Sequence, residues 1–337
     1  MKVLVTGAGG FLGHRVVERL AAHGQTDIRC FLRARGKSAL LDAVAARYPN
    51  TRLEYVYGNL NSKSDCAAAL EGVSLVFHLA AAMKGSAADM FLNSVVAARN
   101  LLEAIGTRKP MRVVLVSSFG VYGVAGMGRG ALLDESAPLE PNPGKRDPYS
   151  HTKLRQELLF HEHQKKLGFE LVVIRPGVIY GPGGGHFSGR VGLNLFGCFL
   201  HLGGSNLLPL TFVENCAEAI VVAGTAPEAA GNVYNIHDDD LPTSRQYLRM
   251  YKRQVRKVRS LPVPYFALIF LSRMLERYHS WSRGQLPAIF TPYKTRNMWG
   301  GNRFSNARLK STGWKQLVPT SEGLRRTFEA FRADLKQ

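Results

Sequence analysis

Residues 1–20 read MKVLVTGAGGFLGHRVVERL. The apolar run at 3–5 ends at Thr6 and gives way at once to Gly7, Gly10 and Gly13. Apolar residues then recur at Leu12, Val16 and Leu20, the spacing of one helical face, and Gly24 is placed to stop the helix. A strand, a glycine turn and a helix in this order predict a cradle for the pyrophosphate of a dinucleotide. Gly7 permits the tight turn, Gly10 lets backbone approach the phosphates, and Gly13 lets the helix lie close to the strand. The helix start, with Phe11 and Leu12, offers unpaired N–H groups and the positive end of a dipole to the anion.

The rest of the first half repeats this alternation. Short apolar runs at 28–32, 53–57, 75–79, 113–117 and 171–175 are separated mostly by helical stretches. Such strands belong in a parallel sheet covered on both faces. Right-handed crossovers then predict an α/β, doubly wound parallel sheet of the Rossmann type. Residues 1–175 are expected to form this dinucleotide-binding domain. After Arg175 regularity falls, with a glycine loop at 181–185, a strand running into a helix at 209–224 and a further strand at 231–236. Residues 176–337 are therefore expected to be mainly a smaller substrate-binding lobe, with some chain returning to the sheet. The Gly- and Pro-rich segment 124–147 has few periodic apolar positions and reads as a mobile flap over the site.

The chain has 337 residues, 45% of them hydrophobic, which supports a globular core and argues against disorder. Cys30, Cys66, Cys198 and Cys216 show no CxxC spacing and no neighbouring His pair, so neither a disulfide framework nor a metal site is expected. A strand beginning at Lys2 leaves no room for a secretory leader, and a cytoplasmic location is expected. The net charge is +19, and from Arg245 onward 20 Lys/Arg face 4 Asp/Glu. No nucleic-acid partner is expected, because no RNP, KH or zinc-finger pattern accompanies the charge. The apolar run 261–271 falls short of the roughly 20 residues of a bilayer span. It is flanked by Arg253, Arg256, Lys257, Arg259, Arg273 and Arg277. It reads either as a basic amphipathic helix in peripheral contact with an anionic membrane or as a helix packed on the lobe.

Two further stretches carry chemistry. The second strand ends in Leu32-Arg33-Ala34-Arg35-Gly36-Lys37-Ser38, with no carboxylate to accept from a ribose 2′-OH. Arg33 and Arg35 suit a 2′-phosphate, so NADP(H) is favoured, with NAD(H) as the alternative. Much later, DPYSHTK places Tyr149 and Lys153 on one helical face, with Asp147 as cap and Pro148 at the first helical position. A phenol with a pKa of about 10 is a poor acid or base at neutral pH. A nearby ammonium, joined by the charge of an oxidised nicotinamide, lowers it. The fifth strand ends in Ser117-Ser118, and Ser118 at the strand tip is placed to hold a substrate oxygen toward Tyr149.

TGAGGFLG (6–13), GNL (58–60), HLAA (78–81), SSFGVYG (117–123), YSHTK (149–153) and RPGVIYGPG (175–183) occur in that order. This ordered set resembles the extended short-chain dehydrogenase/reductase family, which includes NAD-dependent epimerase/dehydratases and 3β-hydroxysteroid dehydrogenase-like enzymes. The resemblance implies that Ser118, Tyr149 and Lys153 are catalytic. It implies cofactor contacts from Asn59 and Leu60 on the adenine side, from Leu79, Ala80, Ala81 and Ser117 along the cofactor, and from Pro176 and Val178 near the nicotinamide. Homodimers are frequent in that family. Three positions depart from its pattern. Asn59 stands where Asp is frequent, Ser94-Val-Val-Ala-Ala98 replaces a helix motif with Asn and Gly-Thr, and Leu208 replaces an Arg that grips diphosphate in nucleotide-sugar epimerases.

The leading expectation is an NADP(H)-dependent oxidoreductase that interconverts a secondary alcohol and a ketone in a hydrophobic small molecule, as 3β-hydroxysteroid dehydrogenases do. The alternative is a nucleotide-sugar 4-epimerase with tightly bound NAD, in which cations near Arg190 or in the basic tail hold the diphosphate. Dehydration is disfavoured because Phe119-Gly120, not an acidic pair, follows Ser118. A catalytically silent binding protein is disfavoured because both Tyr149 and Lys153 are present.

Overall fold

A computed structural model describes residues 1–33, 39–106, 111–185, 188–195, 197–282 and 291–335. Seven strands form the central sheet: β1 (Lys2–Thr6), β2 (Asp27–Leu32), β3 (Arg52–Tyr57), β4 (Val73–His78), β5 (Arg112–Val116), β6 (Glu170–Pro176) and β7 (Val233–Ile236). Their order is β3-β2-β1-β4-β5-β6-β7, and every pairing is parallel. Parallel neighbours need long crossovers. Helices α1 (Gly13–Ala22), α2 (Ala97–Ile105), α3 (Pro148–Leu167) and α4 (Val213–Thr225) lie in these connections. Successive strand side chains point to opposite faces. Val3 and Val5 therefore join the core that α1 and α4 cover, while Leu4 joins the core that α2 and α3 cover. Burial on both sides is why these strands read as unbroken apolar runs, and the expected doubly wound sheet is what forms.

Beyond Pro176 most of the chain leaves the sheet and builds a separate core around Tyr180, Phe199, Phe212, Tyr247, Tyr251 and Phe328. β7 comes back to pair with β6 along residues 173–176. A three-stranded sheet of Gly192–Leu195, Cys198–His201 and Ser260–Pro262 carries the outer side of this part. Helices α5 (Tyr265–Trp281) and α6 (Pro292–Trp299) follow it.

Segment 124–147 is pinned rather than free, contrary to the flap expectation. Leu132–Leu133 pairs with Arg303–Phe304, and the Gly130 N–H donates to the Gly301 carbonyl. Buried Glu140 accepts from Arg146 at 3.0 Å and from the Tyr293 hydroxyl. Apart from Arg146, these partners lie far along the chain, so a local pattern carries no trace of them.

Where β5, β6 and α3 meet, Glu157 and Arg175 form an almost fully buried ion pair. Glu157 Oε2 accepts from Arg175 Nε at 3.2 Å and from the Ser117 hydroxyl at 2.5 Å. The Arg175 guanidinium lies 4.6 Å over the Tyr122 ring, whose hydroxyl donates to Asn235 Oδ1 on β7 at 2.7 Å. Removing one partner of a buried pair strands the other charge. Glu157→Ala is expected to cost about 3–5 kcal/mol, measured by thermal or urea unfolding. A loss below about 1 kcal/mol would show that the pair behaves like an exposed one.

Candidate active site

The strand order reverses between β1 and β4, and doubly wound sheets take ligands outside the carboxyl ends of their strands at such a point. A cleft of about 1290 Å³ opens there. This exceeds the roughly 300–1,000 Å³ of a site for one drug-sized ligand and leaves room for a dinucleotide and a substrate together.

The glycine turn forms one end. Gly7 has φ +74°, and a Cβ there would stand 3.1 Å from the Ala80 nitrogen. A Cβ on Gly13 would stand 2.0 Å from the Gly7 carbonyl oxygen, so only glycine lets α1 start this close to β1. The Gly10 N–H closes the turn on Gly7 O at 3.0 Å. No side chain caps α1, as a helix start that receives an anion requires. The cradle fits a pyrophosphate. Phe11, Leu12, Arg33, Asn59, Leu60, Leu79, Ala80, Ala81, Ser117 and Val178 also line the cleft. Arg35 lies outside the described residues.

Two expected contacts come out differently. Pro176 does not line the cleft: it is still held in the sheet, in register with Ile236, and Gly177 and Ile179 take the wall. Ser117 reaches the cleft, but its hydroxyl is committed to Glu157. At the end of β2 the lining shows Arg33 and no carboxylate among the described residues, and the Arg33 guanidinium lies 3.5 Å from Asn93 Oδ1.

The catalytic candidates meet at the tip of β5. Asp147 caps α3 by accepting from the Ser150 N–H at 2.9 Å, with Pro148 in the first turn. Tyr149 and Lys153 thus lie one turn apart, and both line the cleft with Ser118. The Ser118 hydroxyl accepts from the Gly120 N–H at 3.0 Å, and Ser118 shares the cleft wall with Tyr149. Burial raises the phenol above its ordinary value, Ser118 opposes this, and the Asp147 charge adds to it.

The buried Lys153 ammonium donates to the Val116 carbonyl at 2.7 Å and to Gln156 Oε1 at 2.8 Å. Burial pushes Lys153 down to about 8, opposed by the Glu157 charge. Gln156 Nε2 contacts His78 Nε2 at 3.1 Å and the Ser94 carbonyl at 3.2 Å. His78 Nδ1 shares a 2.8 Å bond with the Thr6 hydroxyl. A buried polar chain therefore runs from the tip of β1 to Lys153. Burial, helped by the charge of Lys153, pushes His78 down to about 3 and keeps it neutral.

Besides Arg190, which the sequence offered as a grip for a diphosphate, the far end of the cleft holds residues that the sequence pattern did not single out. Trp299 lines the cleft, and its Nε1 donates to the Gly189 carbonyl at 3.2 Å. Arg146 and Arg190 reach the cleft beside Tyr149. Burial lowers Arg190 to about 10, Arg146 adds to this and Asp147 opposes it. Leu208 is buried in the lobe core instead. The glycine loop before Arg190 is the one local signal; Arg146, Gln156 and Trp299 declare themselves only once distant segments meet.

A phosphate-cradling turn at the switch point of a parallel sheet, with Ser, Tyr and Lys at a strand tip beside it, defines an enzyme that works with a nicotinamide dinucleotide. Residues 3–236 match the family model of the NAD dependent epimerase/dehydratase family, and the chain belongs to that family. It is 26% identical to the 3beta-hydroxysteroid-dehydrogenase/decarboxylase isoform 1 of Arabidopsis thaliana, over 97% of this chain and 79% of that protein. It is 24% identical to the UDP-glucose 4-epimerase of Vibrio cholerae, over 98% of this chain and 95% of that protein. Its fold is similar to that of UDP-glucuronic acid 4-epimerase from Bacillus cereus, solved in complex with NAD. The TM-score is 0.73 at 18% identity, with all of both chains covered.

The neutral His78 makes stability depend on acid. With a folded value of about 3 against an ordinary 6.5, the unfolded chain binds the extra proton between those values. Stability from this group is present above pH 6.5 and lost as pH falls toward 3. His78→Asn should therefore flatten the fall in unfolding free energy between pH 6 and pH 5, by up to about 1.4 kcal/mol per pH unit. Parallel slopes for the two proteins in urea titrations would contradict a buried neutral imidazole.

Proposed function

We propose that the chain is an NADP(H)-dependent oxidoreductase that interconverts a secondary alcohol and a ketone on a largely apolar substrate of the 3β-hydroxysteroid kind. The carrying observation is that Ser118, just past the tip of β5, and Tyr149, at the start of α3, line the same cleft as the glycine turn. Ser118 holds the substrate oxygen. Tyr149 gives its proton to that oxygen in reduction and takes it back in oxidation. The bound nicotinamide supplies the hydride exchange at the carbon. Burial keeps the phenol protonated, which suits its role as acid. Lys153 fixes a positive charge one turn along α3 and is placed to hold the nicotinamide ribose.

Arg33, with no carboxylate beside it in the lining, supports a 2′-phosphate and hence NADP(H). Phe119, Leu193, Pro209, Met298 and Trp299 support an apolar substrate body. In this reading residues 1–175 hold the cofactor, and residues 176–337 mainly hold the substrate. A second reading, a nucleotide-sugar 4-epimerase with tightly held NAD, is favoured by Arg190. That guanidinium is placed to grip a diphosphate that Leu208 cannot.

Tyr149→Phe is expected to lower turnover by about 10²- to 10⁴-fold while leaving calorimetric binding of NADPH unchanged. Undiminished turnover with every accepted substrate would remove the acid/base role. Mass spectrometry of ligands retained by the purified chain separates the two readings: NADP(H) supports the reductase, and NAD with a UDP-sugar supports the epimerase. As Lys153 loses its proton, kcat/KM should fall as pH rises through about 8. A flat profile there would show that its charge is not needed.

A further inference from the structure

Helix α5 turns an apolar face outward. Phe266, Phe270, Met274, Tyr278 and Trp281 follow one another at four- and three-residue spacing and share one side. Phe266 is 76% exposed, Phe270 61% and Trp281 78%, and Leu271 and Leu275 widen the stripe. Only Leu268 and Ser272 of the helix are buried. A contiguous apolar surface of this kind marks a contact with something apolar.

The charge around it has one sign. Residues 245–282 contain nine Lys/Arg and a single acid, Glu276. Arg253, Arg256, Lys257, Arg259, Arg273 and Arg277 are all exposed, and none makes an ion pair among the described residues. No described helix is long and apolar enough to cross a membrane.

We propose that α5 docks peripherally on an anionic lipid bilayer. Its aromatic face enters the boundary between headgroups and acyl chains, and the six cations lie over the headgroups. Charge complementarity selects this occupant. A second copy seated face to face would set the same cations against one another.

The docked face backs directly on the cleft. Leu268 packs with Leu202 and Trp299, and Trp299 lines the cleft. Leu193, Leu200 and Leu261 stand side by side across the three-stranded sheet, from the cleft wall to the exposed edge. An apolar track thus joins the site to the lipid-facing side. This link to substrate supply rests on the apolar-substrate reading; docking itself does not.

The chain reports on its own docking. Of its three tryptophans, Trp299 and Trp314 are buried and Trp281 is exposed. With the full-length protein, phosphatidylglycerol-containing vesicles are expected to sediment the chain. They should also shift Trp281 emission to the blue, and brominated lipid should quench it. Pure phosphatidylcholine vesicles should do much less, and added salt should release the protein. Arg273→Glu combined with Arg277→Glu should weaken binding at least about tenfold, as should Phe270→Ser with Met274→Ser, with turnover of a soluble substrate retained. Tyr149→Phe should bind vesicles normally, which keeps this result separate from the catalytic one. No partition onto anionic vesicles would overturn the proposal. So would unmoved Trp281 emission, or a dimer in light scattering that the Phe270/Met274 variant disperses.

Discussion

The Lys153 ammonium is buried at the tip of β5, and a buried charge survives only if its hydrogen bonds are met. Its partners are the Val116 carbonyl and Gln156. Meeting that demand ties three parts of the molecule together. The carbonyl belongs to β5, the amide to α3, and through His78 the amide reaches Thr6 beside the glycine turn. The helix that carries Tyr149 is thereby locked against the strand that leads into Ser118. Glu157, one position after Gln156, holds Arg175 and Ser117 on the same side of α3 and opposes the fall in the lysine's proton affinity. Folding and positioning use the same bonds, so the phenol and the hydroxyl meet without further adjustment.

That arrangement also explains why Tyr149 stands above its ordinary value in the chain alone. Burial is the main cause, Asp147, the cap that starts the helix, adds to it, and Ser118 opposes it. A phenol held up by burial stays protonated until a further positive charge arrives. A charged ring bound above the glycine turn would be that neighbour.

The sheet was legible because its signals are local. An apolar run, a glycine turn and a helical stripe each occupy one short window, and β1 through α1 follow from residues 3–22 alone. The capped helix at Asp147 was legible for the same reason, and with it the spacing of Tyr149 and Lys153. What escaped was everything decided by distant partners. Segment 124–147 reads as loose from its glycines and prolines, yet it is tied to residues 293–304 by pairings without a period. Pro176 lies in a familiar motif, but whether it faces the cleft depends on how far β6 stays paired with β7. His78 and Gln156 look like ordinary strand and helix positions; only their meeting makes them supports of the lysine.

Chemistry at the two ends of the cleft differs in kind, and the substrate question turns on that difference. At the glycine turn the wall is backbone, where a Cβ would clash. At the other end the wall is side chains, mostly apolar, with the guanidinium of Arg190 set among them. Burial disfavours that cation, Arg146 adds to the cost, and Asp147 is the acid that offsets it. A neutral sterol-like body would fill the apolar walls and leave Arg190 to Asp147 and the 3.5 Å contact with the Met298 carbonyl. A diphosphate would satisfy the guanidinium but lay polar oxygens along leucine, methionine and tryptophan. The reductase reading therefore rests on the apolar walls and the epimerase reading on the guanidinium of Arg190, and the two make opposite demands on the same space.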